Sequence, residues 1–140
     1  MNWKRILLSG IVIWIVGTVY AFLTCGWLFN WIYEIPPNIW KPPEAMFTAG
    51  ALIGSNLIGI VVGIIFAAVF ALLYKGIPGK GVKKGLTYGL IVWLIGAVSG
   101  LASLPFYMTI AVAVVVYWIL QALVLNLILG AIVGAIYKER

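Results

Sequence analysis

Histidine and aspartate are absent from this 140-residue chain, and cysteine occurs once, as Cys25. The only carboxylate side chains are Glu34, Glu44 and Glu139. Without imidazole, a second thiol or close-spaced acids, no Ser/His/Asp, Cys/His or acid–base pair can be assembled, and no metal-ligand spacing occurs. The chain is therefore expected not to be an enzyme and to hold no cofactor or metal. A lone cysteine also excludes an intrachain disulfide. Charge is scarce as well, at 9% of residues, too little to cover an ordinary soluble domain.

Apolar residues fill the space that charge leaves, at 65% of the chain with a mean hydropathy of +1.18. Crossing ~30 Å of hydrocarbon takes about 20 consecutive apolar residues in a helix. Four runs meet that requirement, at about 6–32, 45–74, 85–104 and 105–137. The expected fold class is all-α: a polytopic membrane protein forming one domain, a four-transmembrane-helix bundle.

The few charges are placed unevenly. Lys4, Arg5, Lys75, Lys80, Lys83, Lys84, Lys138 and Arg140 fall on one side of the spans, and Lys41 alone falls on the other. The positive-inside rule then puts both termini and the 75–84 loop in the cytoplasm, with the 33–44 loop external, in a multi-pass protein of the cell membrane. The net charge of +6 consists of these flanks, so membrane lipids are the expected partner and nucleic acid is not. Lys4 and Arg5 before an apolar run also fit a cleavable leader. Thr24 stands where cleavage before Cys25 needs a small residue, and the same pattern recurs in mid-chain, so the segment is expected to be retained. The glycine-rich 75–84 loop lacks the GxxxxGK[ST] spacing of a phosphate-binding loop.

That recurrence is an internal repeat. KRILLSGIVIWIVGTV at 4–19 aligns with KKGLTYGLIVWLIGAV at 83–98, matching Lys4, Leu7, Gly10, Trp14, Gly17 and Val19 to Lys83, Leu86, Gly89, Trp93, Gly96 and Val98. The second spans align at another offset, Pro42 with Pro105, Ala67 with Gly130, Ala71 with Gly134 and Tyr74-Lys75 with Tyr137-Lys138. Repeat one (4–75) and repeat two (83–138) would be two hairpins of equal orientation, parallel repeats about an axis along the membrane normal.

Small residues at four-residue spacing let membrane helices approach closely. Gly59/Gly63/Ala67/Ala71, Gly85/Gly89, Gly96/Gly100 and Gly130/Gly134 have that spacing, and Gly10-Gly17-Thr24 and Gly89-Gly96-Ser103 form seven-residue series. Asn56, Gln121 and Asn126 are the amides expected at membrane depth, as interhelical glue or as the lining of a polar path. Trp31, Tyr33, Glu34, Trp40, Lys41 and Glu44, among two Pro-Pro pairs, form a candidate external cap at headgroup level. Packing seams outnumber chemical groups. The leading expectation is an accessory or assembly subunit acting through helix contacts with other membrane subunits or itself. A homo-oligomeric channel or facilitator for a small solute, and a lipid- or quinone-binding protein, are the alternatives.

Overall fold

The computed structural model describes residues 1–138, so Glu139 and Arg140, counted among the charges above, lie outside the described residues. Four helices are long and apolar enough to cross a membrane: α1 (Trp3–Leu28), α2 (Ala49–Leu73), α3 (Gly81–Tyr107) and α4 (Val112–Ile136). The described residues contain no strand. This is a multi-pass helical membrane protein.

Local chemistry sets the helix ends. The Asn2 side chain accepts from the Arg5 amide at 3.4 Å, and Thr48 Oγ1 accepts from Ala51 N–H at 3.3 Å, so each satisfies a first-turn donor. Because Thr48 is a cap, α2 begins at Ala49 rather than at Ala45, and Pro43–Met46 forms a separate turn with proline in its first position. The first span stops at Leu28 rather than near Ile32, since Phe29 leaves helical geometry and Asn30–Glu34 winds as a short tight turn. The third span runs through Pro105 to Tyr107 instead of ending at Leu104. Pro105 occupies the first turn of Leu104–Tyr107, where a missing N–H costs nothing, and the break falls at Met108. Consequently α4 starts at Val112, not at Pro105.

Two stretches, Phe22–Leu28 in α1 and Trp93–Val98 in α3, are wound wider than an α-helix. Beside each, a hydroxyl returns to a carbonyl four residues back: Thr24 Oγ1 to Tyr20 O at 2.8 Å, and Ser99 Oγ to Ile95 O. Such back-bonding competes with the helix ladder and favours bends.

Tight helix-on-helix packing is concentrated at the end that carries the termini and the 75–84 loop, called here the basic end. The core cluster is Ile6, Ile13, Ala67, Phe70, Ile77, Tyr88, Val133 and Tyr137. Glycines bring the helices close enough to bury it. A Cβ on Gly10 would sit 2.8 Å from Ile64 Cα, and one on Gly63 would collide with the Gly10 carbonyl, so α1 and α2 cross backbone to backbone. Between α3 and α4, added Cβ atoms on Gly85 and Gly130 would each strike the other's carbonyl. One on Gly89 would strike Asn126 O, and one on Gly134 would lie 2.9 Å from Gly85 Cα. Gly59 makes room for the Trp14 indole, whose Cδ1 would be 2.7 Å away.

Aromatic rings close this end. Tyr88 is 2% exposed and donates its hydroxyl to Phe66 O at 2.9 Å; edge-on ring contacts link Tyr88 to Phe66 and Phe70, and Phe70 to Tyr74 and Tyr137. Two cations tie the hairpins together. Arg5 Nη1 of α1 donates to Ile136 O at the C-terminus of α4, at 2.9 Å. Lys84 Nζ of α3 donates to Tyr74 O, just past α2, at 2.5 Å. Both place positive charge on the negative end of a helix dipole.

Candidate functional site

The other end of the bundle, the cap end, is built differently. No residue of α2 from Ala49 to Ile58, and none of α3 from Leu90 to Tyr107, is buried. Added Cβ atoms on Gly17, Gly50, Gly54, Gly96 and Gly100 would meet nothing within 4 Å. The seven-residue series therefore divides: Gly10 and Gly89 lie in seams, while Gly17 and Gly96 face open space.

What holds this end is polar and aromatic. Gln121 of α4 donates to Thr24 Oγ1 at 2.7 Å and lies 3.3 Å from Cys25 Sγ, both on the wide-wound end of α1. Tyr20 donates to the Gln121 carbonyl at 3.0 Å, and the Tyr117 hydroxyl lies 4.0 Å from Cys25 Sγ. Tyr20, Thr24, Tyr117 and Gln121 border a cavity of about 300 Å³, together with Phe29, Leu120 and Val124. Thr24, at 8% exposed, is the buried member of this polar group. Both Thr24 and Cys25 lie within the wide-wound stretch Phe22–Leu28 and both face Gln121 of α4.

Above this cluster, the 33–44 loop folds onto α4. Tyr33 packs edge-on to Trp40 at 4.6 Å, Trp40 to Trp118 at 5.9 Å, and Trp31 to Tyr117 at 5.9 Å. Burial pushes the Tyr33 phenol above its usual range, with a smaller contribution from the Cys25 thiol. Between the loop and the start of α2 lies a cavity of about 770 Å³, bordered by Asn30, Tyr33, Glu34, Trp40, Lys41 and Phe47 among others. Of the six cap residues named from sequence, Tyr33, Glu34, Trp40 and Lys41 line this cavity; Trp31 stacks on Tyr117, and Glu44 lies in the turn that precedes α2.

The three amides do not meet. Asn56 donates to Leu52 O at 2.7 Å and Asn126 to Ala122 O at 2.8 Å, each on its own helix, whereas Gln121 alone bonds across to another span. Gly10, Gly59, Gly63, Gly89, Gly130 and Gly134 all lie against neighbouring helices, Gly59 near the middle of α2 and the others towards the basic end. Tyr20, Thr24, Cys25 and Tyr117 stand outside the site residues expected from the sequence. Their signal is a pair of polar residues four apart in each of two apolar runs, Tyr20/Thr24 and Tyr117/Gln121, which places each pair on one helix face. Among the described residues no three of His, Cys, Asp and Glu gather. No protein family, curated protein or solved structure matches the chain.

Proposed function

We propose that this protein is a non-catalytic accessory or assembly subunit whose cap-end half receives a transmembrane helix of a different membrane subunit. The observation that carries this reading is the division of the glycines. Those at the basic end are filled by neighbouring backbone, while Gly50/Gly54 on α2 and Gly96/Gly100 on α3 keep the same four-residue spacing with nothing opposite. Close-approach spacing on a helix face serves packing against another backbone, because lipid chains gain little from a notch that narrow. The most apolar stretch of α3 is only 6% buried, against 22% in α1 and α2, so α3 is the span with most unused surface. Gly54→Leu and Gly100→Leu, both in open space, leave the fold intact and dissociate the complex extracted in mild detergent, as read by native mass spectrometry. A complex unchanged in both variants removes the reading.

The same proposal includes two parallel hairpin repeats with the basic end in the cytoplasm. The offsets that align Gly10 with Gly89 and Ala67 with Gly130 also align Gly63 with Asn126; Gly10 packs on Gly63, and Gly89 packs on Asn126. Arg5 likewise aligns with Lys84, and each caps the outgoing helix of the other hairpin. A pseudo-twofold axis along the membrane normal produces such reciprocal contacts. The charge bias of the flanks supports the orientation.

A second reading rests on the cap cavity, whose ~770 Å³ falls in the usual range for small-ligand sites and whose walls combine the rings of Tyr33, Trp40 and Phe47 with the polar Asn30, Glu34 and Lys41. Under it the chain binds an amphiphile such as a lipid or quinone, and that molecule co-purifies. The channel reading finds less support, since the bonds that Asn56 and Asn126 make are to carbonyls of their own helices and the three amides do not converge.

A further inference from the structure

Lys84 is 8% exposed, and its ammonium meets only weak compensation. Its Nζ donates to the Tyr74 carbonyl and lies 4.2 Å from the centre of the Tyr74 ring. A carbonyl and a ring face offset part of the cost of removing an ammonium from water, whereas an opposite charge is what ordinarily completes it. The described carboxylates, Glu34 and Glu44, belong to the loop at the far end of the bundle.

Beside Lys84 lies a cavity of about 600 Å³, lined by Tyr74, Lys80, Tyr137 and Lys138 as well, and no described carboxylate borders it. The first turn of α3 forms another wall through Gly81 and Val82. Lys80 in the capping position supplies no side-chain acceptor, so no side chain caps the first N–H groups of this 12-residue helical stretch. Gly79 and Gly81 have φ of +98° and +53°, a geometry that lets the chain turn tightly into the helix and brings main chain to the cavity wall. Three ammonium groups, two tyrosines and an uncapped positive helix end all border one space. Its volume exceeds that of a simple inorganic anion, and it opens where the helices end, at the depth of lipid headgroups.

We propose that this cavity binds the phosphate of an anionic phospholipid headgroup, with Lys84 as the buried contact and Lys80 and Lys138 at the mouth. It lies opposite the faces assigned to helix docking, so either reading can fail without the other. The test uses the full chain purified in dodecyl maltoside and titrated separately with phosphatidylglycerol, phosphatidylcholine and inorganic phosphate. Binding is read by thermal shift and by lipid retention in native mass spectrometry. Phosphatidylglycerol is expected to raise the unfolding temperature and to stay bound, and phosphatidylcholine to do neither. Lys80→Gln, an exposed change that spares the fold, weakens phosphatidylglycerol by about tenfold, the equivalent of one charge-assisted hydrogen bond. Lys84→Met weakens it at least as much and Lys84→Arg restores it, while Lys4→Gln, an exposed cation outside the lining of the cavity, changes nothing. Equal responses to the two lipids overturn the proposal, as does phosphatidylglycerol binding that survives Lys80→Gln and Lys84→Met. A shift by inorganic phosphate that matches the lipid's overturns the lipid source and assigns the site to free phosphate.

Discussion

The two ends of this bundle use one composition in opposite ways. At the basic end, glycine is a means of contact: Gly85, Gly89, Gly130 and Gly134 interleave so closely that none has room for a Cβ. At the cap end, glycines of equal spacing face open space, and polar and aromatic side chains make the contacts instead. In membranes, where apolar area alone does not favour helix association over lipid, backbone proximity and buried hydrogen bonds are the two available means of specificity. The basic end uses both, whereas the cap end relies on hydrogen bonds and rings alone.

The strongest test of that contrast is a glycine pair. Gly130→Leu drives a side chain into the Gly85 carbonyl and is expected to cost upwards of ~4 kcal/mol, in the range reserved for core disruption, so that folded protein is lost on size-exclusion chromatography. Gly50→Leu, with nothing nearby, should stay within ~0.5 kcal/mol on the isolated chain. Equal losses for the two would dissolve the distinction between the ends. Next in size are the reciprocal caps. Arg5→Gln and Lys84→Gln each remove a charge from a helix C-terminus, and each should lower stability by ~1 kcal/mol in detergent melts.

Smaller effects sharpen the cap end. Gln121→Leu deletes the one cross-helix amide contact and should cost ~0.6–2 kcal/mol while raising the rate at which maleimide labels Cys25. An unchanged labelling rate would mean that Gln121 does not shield the thiol. Smallest of all is Asn56→Leu. Its amide bonds only to Leu52 of the same helix, so a change within ~0.5 kcal/mol is expected by chemical denaturation.

Much of the fold was legible in the residues. Runs of apolar side chains gave four spans because hydrocarbon admits little else, and the clustering of Lys and Arg put both termini and the 75–84 loop at one end. Span ends were less legible. Pro105 reads as a stop, yet it also suits a first turn, and the local geometry that chooses between these is invisible in one-dimensional sequence. That the 33–44 segment leaves helical geometry follows from its prolines, but the ring on which Trp40 packs, Trp118, was hidden inside an apolar run. The Thr24–Gln121 bond was less legible still, because it joins residues 97 apart through a helix whose winding departs from regular.

By itself, then, the sequence determined the number of spans and the end to which the charges belong. Both follow from the cost of placing polar groups in hydrocarbon, which each segment meets independently of the others. Only the tertiary structure decided which glycines are occupied, which amide reaches across, and that Lys84 is buried without a counter-charge among the described residues. A glycine four residues from another looks the same whether or not a backbone lies opposite. That question is settled between helices, where the distance from Gly85 to Gly130 is set by every contact around it.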